Sequence, residues 1–166
     1  MPYTVFVSHS SRDTELIAHV RSVAEHARVS LYLAEHDNQA GRSIAHKVQE
    51  NLDRSDAVLV LLTHDGYSSA YVQQEIGYAI RAHKPVLPLL SRELQVAGVS
   101  LSMLGDAEYI VIDFDNPADA CVQLSERLSQ LRVKKNIDTA IQSLVLGIAI
   151  GALAALVVTG AQSGES

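Results

Sequence analysis

The sequence predicts an α/β domain: a five-stranded parallel sheet with helices on both faces, followed by one C-terminal transmembrane helix. Three observations predict it. Between residues 3 and 131, short β-branched runs alternate with stretches of helical period. The 166 residues leave room for one ordinary domain and little more. The stretch 141–159 contains no charged residue.

The strand candidates are 3–7, 29–33, 57–63, 86–90 and 109–113. Between the first two, Asp13 is a candidate N-cap, and Leu16, Ile17, Val20, Val23 and Ala24 fall on one helical face. After the second strand, the polar loop AEHDNQAG ends at Gly41, and Ile44, Ala45, Val48 and Leu52 line the next helix. After the third, Val72, Ile76, Ala79 and Ile80 form the apolar face of a helix that ends before Pro85. Residues 91–107 have weak periodicity and read as a long loop with a short helix. A last helix over 117–131 begins with proline at an early position and buries some combination of Val122, Leu124, Leu128 and Leu131. Right-handed crossovers between five parallel strands suggest the flavodoxin-like order 2-1-3-4-5. A ligand is then expected beyond the carboxyl ends of strands one and three, at residues 8–13 and 64–75.

Lys and Arg number 13 against 19 Asp and Glu, a net charge of −6. No basic field gathers a polyanion, so nucleic acid is not an expected partner. The single Cys121 makes no internal disulfide, which favours a reducing compartment for the folded part. Mean hydropathy is +0.12, high for a soluble domain.

The excess lies at the C-terminus. The 19 residues 141–159 form a helix of about 28 Å, close to the bilayer core of about 30 Å. Lys134 and Lys135 precede it and the polar tail AQSGES follows, so the positive-inside tendency keeps the N-terminal domain in the cytoplasm. The opening MPYTVFVSHSSRD has neither a basic start nor a long apolar core, and no signal peptide is expected. The organisation expected is a domain over 1–133, a juxtamembrane linker over 134–140, a membrane span over 141–159 and a tail over 160–166. A hydrophobic helix buried in a soluble core or an oligomer is the competing reading. Gly147 and Gly151 make a GxxxG, a spacing that lets membrane helices approach closely and that also arises by chance in Gly/Ala-rich segments.

No GxGxxG follows the first strand, and GxxxxGK[ST], HExxH and paired CxxC are missing. No metal site or resident cofactor is expected. A receiver-type magnesium site needs an acidic pair after strand one, where this chain has SHSS; Asp65 therefore reads as a loop or capping residue. What converges on the switch point is Ser8, His9 and Ser10 after strand one, Tyr32 at the end of strand two, and Tyr71 with Glu75 one helical turn apart. Glu75 has no cation at its neighbouring helical positions, Tyr71, Val72, Tyr78 and Ala79. A solvated glutamate flanked by packing tyrosines is the bland alternative.

These residues resemble a family, the TIR domain. PYTVFVSHSSRD is similar to the family's opening box, YLAEHDNQAGRSI to its BB loop, with Asp37 and Gly41, and SSAYVQQEIGYAI to its third-helix motif, followed by KPVLPLL as the fourth strand. The resemblance covers about residues 3–131 and leaves the C-terminal segment unexplained.

In the family's enzymatic branch a glutamate on this helix cleaves the nicotinamide–ribose bond of NAD+, so the resemblance implies Glu75 as the catalytic residue and NAD+ as substrate. Ser8, His9, Ser10, Tyr32 and Tyr71 would line the substrate pocket. Some NADases of the family carry arginines where this chain has Ser10 and Ser11; Arg12 and Arg42 are the nearby substitutes for phosphate recognition. The short, Ala-rich chain resembles prokaryotic members and implies an antiphage setting of the Thoeris type. Two functions stay open: a membrane-tethered NAD+ glycohydrolase or cyclase, and a non-catalytic module that assembles with other TIR domains through its BB loop. A third is a membrane-disrupting helix triggered by clustering.

Overall fold

The computed structural model describes residues 2–33 and 42–162, with the backbone alone for 42–45 and 147–162. Two compact units divide the chain, Met1–Ser129 and Gln130–Ser166. The first contains a five-stranded sheet built from β1 (Thr4–Ser8), β2 (Ser30–Leu33), β3 (Ala57–Leu62), β4 (Val86–Ser91) and β5 (Ile110–Ile112). Their order is β2-β1-β3-β4-β5 and every pairing is parallel, as the alternation of runs predicts.

The helices follow from where the strands need cover. All six residues of β3 are buried, because a central parallel strand is packed on both faces. On one face Phe6, Val58, Val60, Leu62 and Leu90 meet Leu52 of α2 (Arg42–Arg54) and Val72, Ile76 and Ala79 of α4 (Ala70–Arg81). The alternate residues Leu89 and Ile112 meet Leu16, Val20 and Val23 of α1 (Thr14–Ala27) and Ala120 and Leu124 of α6 (Ala118–Gln162). α1 stops at Arg28, whose left-handed backbone (φ 55°) returns its N–H to the carbonyls of Ala24 and Glu25.

Some expectations change. A five-residue helix, α3 (His64–Ser68), separates β3 from α4. The Thr63 hydroxyl caps it by accepting the Gly66 N–H at 2.9 Å. A Cβ at Gly66 would stand 2.1 Å from the Leu61 carbonyl oxygen, so only glycine lets the chain turn there. Residues 91–107 hold α5 (Arg92–Val96) and a 3-10 turn at Ser102–Leu104. Ile80 and Val122 are exposed, whereas Leu124 and Leu128 are buried.

The last helix does not end near 131. α6 continues to Gln162, helical through 134–140, because the sequence offers no proline after Pro117 to stop it. The apolar stretch 141–159 lies within α6, and beyond Leu146 its side chains lie outside the described residues. Among the described residues, no helix is long and apolar enough to cross a membrane.

Candidate active site

The β1 and β3 carboxyl ends sit side by side, with Ser8 in register with Val60. Ser8 and Phe6 alternate onto the face that α4 covers. α4 starts at Ser69, whose hydroxyl accepts the Val72 N–H at 3.4 Å. From that start, Val72, Glu75, Ile76 and Ala79 point inward. Glu75 thus takes a core position at the open end of the sheet, 5% exposed.

Its carboxylate meets a hydroxyl there. Ser8 Oγ, fully buried, donates to Glu75 Oε2 at 2.5 Å. Burial pushes the Glu75 carboxyl up from 4.5 to about 7, against a smaller lowering by the Ser8 hydrogen bond. Near neutral pH the group therefore exists in both protonation states. A solvated glutamate would not be displaced in this way.

His9, the next residue along the chain from Ser8, is buried, and its Nδ1 bonds to the Ser10 carbonyl at 2.8 Å. The Ser10 N–H donates to Asp13 Oδ2 at 2.7 Å, and the Thr63 hydroxyl donates to Asp13 Oδ1 at 2.7 Å. Asp13 holds the N-cap position of α1, as the sequence suggests, but its side chain makes no cap hydrogen bond and instead ties the β1–α1 loop to the end of β3. Sequence reasoning missed this residue's part in the site, although serine followed three residues later by aspartate is the spacing at which a carboxylate reaches back to the serine N–H.

The remaining residues divide. Tyr71 stands one turn before Glu75 and is 62% exposed. Tyr32 is turned into the core face: its ring stacks on Phe6 with centroids 5.6 Å apart, and its hydroxyl accepts from Asn51 Nδ2 at 2.9 Å. Asp37 and Gly41 lie outside the described residues. Arg12 pairs with Asp65 at 3.0 Å across an exposed surface. Asp65 is neither in a loop nor a cap but in the first turn of α3. Of Arg42 only the backbone is described.

A separate groove of about 460 Å³ opens at the ends of β4 and β5, bounded by Arg92, Glu93, Val96, Asp113, Phe114 and Asp115. Its one guanidinium is taken by Asp113 at 2.5 Å, and the other charges are carboxylates. Such a lining does not suit a phosphate. Among the described residues no group of His, Cys, Asp or Glu could hold a metal ion.

A doubly wound parallel sheet with two buried carboxylates, Asp13 and Glu75, at its switch point defines the class: an α/β domain with a site at the carboxyl ends of β1 and β3. Residues 5–128 match the TIR domain family, and the chain belongs to it. Among solved structures it is similar to the TIR domain of the Toll-related receptor TRR-2 from Hydra magnipapillata. Identity is 17%, the TM-score is 0.57, and the match covers 75% of this chain and 96% of that one. It is also similar to the Clostridium botulinum CMP N-glycosidase BcmB, at 14% identity and a TM-score of 0.50, covering 73% of this chain and 97% of that one. At these identities the likeness is one of fold. No curated protein matches the chain.

Proposed function

We propose that this TIR domain is an NAD+ nucleosidase, with Glu75 as its catalytic carboxylate. The observation that carries the reading is a buried carboxylate, held by Ser8 at 2.5 Å, where a parallel sheet of this order presents ligands. In the reaction the C1′–N bond of the nicotinamide riboside breaks and its electron pair stays on nicotinamide, which leaves neutral. The ribose carries the positive charge, and the ionised Glu75 stabilises it while accepting hydrogen bonds from the sugar hydroxyls. Water, or a hydroxyl or amine of another acceptor, then adds to C1′ and releases a proton. The pyridinium needs no protonation on departure, so one carboxylate suffices. The products would be nicotinamide and ADP-ribose or a cyclic or derivatised form of it.

Tyr71, exposed one turn from Glu75, would stack on a ring of the substrate. Ser8, His9 and Ser10 would line the ribose and phosphate side. For Tyr32 the stacking on Phe6 favours a packing role over direct contact. Asp37 and Gly41 would belong to a BB loop that joins neighbouring TIR domains in homotypic assembly. The stretch 141–159 would anchor the chain in a membrane with the TIR domain on the cytoplasmic side. Confinement to a plane raises effective concentration and would switch the site on by clustering. An antiphage signalling role follows by analogy with prokaryotic members.

The alternative is a non-catalytic TIR–TIR module, which the 5% exposure of Glu75 favours, since a buried carboxylate reaches substrate only if its surroundings open. Nicotinamide release from NAD+ by the full chain, free and on liposomes, with Glu75→Gln alongside, separates the two. Release that depends on Glu75 is expected. Turnover that survives the substitution rejects the mechanism, and no turnover under any clustered condition selects the module. CMP serves as the comparison substrate, because BcmB shares the fold and is a CMP N-glycosidase. Cleavage of CMP in place of NAD+ would move the assignment to nucleoside monophosphates.

A further inference from the structure

One partner of Glu75 is a hydroxyl 67 positions away in the chain, so this contact is a product of the fold and not of helix spacing. Ser8 is fully buried, and its Oγ donates to Oε2. Donation to a carboxylate favours the ionised form, whereas burial favours the neutral one. β1, β3, β4 and the 3-10 turn, all packed around α4, carry no ionisable side chain. Among the charged groups on α2, Asp53 accepts the Tyr78 hydroxyl at 3.0 Å. On α3, Asp65 is held by Arg12, and the Tyr67 hydroxyl donates to the Ser100 carbonyl. After β1, His9 is turned to Ser10, and Asp13 accepts from Ser10 and Thr63. Tyr71 lies on the outer side of α4. On the carboxylate itself, burial pushes the equilibrium toward the neutral form and the Ser8 hydrogen bond opposes it.

We propose that Ser8 is a positioning residue for the glycosidic reaction: its hydroxyl holds the Glu75 carboxylate in one orientation and keeps it ionised for the sugar. This rests on the NAD+ nucleosidase reading above. A serine chosen only to fill the end of β1 would affect folding and leave the working pH alone. A serine that opposes desolvation sets the acid limit of the reaction.

The test is kcat/KM for NAD+ of the full chain from about pH 5.5 to about pH 9.5 for wild type, Ser8→Ala and Ser8→Cys. In Ser8→Ala the acid limb moves to higher pH, and its deficit at the acid end exceeds that at the alkaline end by about threefold or more. Ser8→Cys, which keeps a weak donor, shifts the same way by less. A loss that is uniform across pH overturns the proposal. Carboxyl-carbon NMR of Glu75 supplies a readout free of turnover: its titration midpoint rises in Ser8→Ala and rises less in Ser8→Cys. An unchanged midpoint in both variants overturns the role of Ser8 even in an active enzyme. A raised midpoint in a chain that never cleaves NAD+ overturns the reaction assigned above, while the control of Glu75 ionisation by Ser8 stands.

Discussion

The Thr63 hydroxyl donates to Asp13 Oδ1 at 2.7 Å, joining two loops 50 residues apart in the chain. The same carboxylate accepts the Ser10 N–H, so one nearly buried side chain fixes both walls of the switch point. Asp13→Ala leaves a hydroxyl and an amide without their acceptor, and each such loss costs about 1–3 kcal/mol. We expect a loss of about 2–4 kcal/mol in urea denaturation. Asp13→Asn keeps one acceptor oxygen and should lose roughly half as much. A destabilisation by Ala no larger than that by Asn would show that the bridge contributes little.

Gly66 makes a sharper structural prediction. A methyl group there would lie 2.1 Å from the Leu61 carbonyl oxygen, which belongs to the fully buried central strand β3 and has little freedom to retreat. Gly66→Ala should cost about 2–4 kcal/mol by forced displacement of α3. Gly77→Ala is the control: nothing stands within 4 Å of its Cβ position, and α4 should gain by up to about 1 kcal/mol. Thermal midpoints of the two variants should move in opposite directions.

Glu75 couples stability to pH. Its carboxyl titrates near 7 in the folded chain against 4.5 when free. Below the lower value both states hold the proton and nothing is gained or lost. Between the two values the folded state binds a proton that the unfolded state has released, so stability falls as pH rises, and above 7 the full penalty applies. At about 1.4 kcal/mol per unit the penalty is about 3 kcal/mol. Glu75→Gln removes it, so this variant should match wild type near pH 4.5 and exceed it by up to about 3 kcal/mol near pH 8. Denaturant titrations at the two pH values measure the difference. A variant that is less stable than wild type at pH 8 would contradict the desolvation argument.

Tyr71 separates binding from folding. Being 62% exposed, it should tolerate Tyr71→Ala with a stability change within about 0.5 kcal/mol. If its ring stacks on the substrate, the loss of about 1–3 kcal/mol of stacking should appear mainly as a raised KM for NAD+. Steady-state kinetics beside a denaturation curve check both halves. An unchanged KM removes Tyr71 from the substrate's contacts.

Much of this was legible in the chain. The runs at β1, β3 and β4 are aliphatic because parallel strands are buried on both faces, and the helix spacing at Leu16, Val20 and Val23 gave α1 its inner face. Glu75 stood out because no cation lies at its helical neighbours, yet Ser8, a partner of its carboxylate, is outside the reach of any local spacing rule. Tyr32 could face a ligand or pack; the register that sets it beside Phe6 decides, and register is a long-range property. Asp13 holds the N-cap position of α1, and that its side chain bridges two loops instead of capping depends on the position of Thr63, which no local spacing reveals. The five residues of α3 are too few to show a period.

The first strand to be synthesised is an interior one, flanked by β2 and β3. A growing chain can lay β2 against it early, but its other edge stays open until β3 has been made. Glu75 follows Ser8 by 67 residues, an interval of about 3 to 13 s at ribosomal speeds of about 5–20 residues per second. A nascent chain therefore carries the hydroxyl long before the carboxylate arrives, and the pair can form only once β3 and α4 have been made.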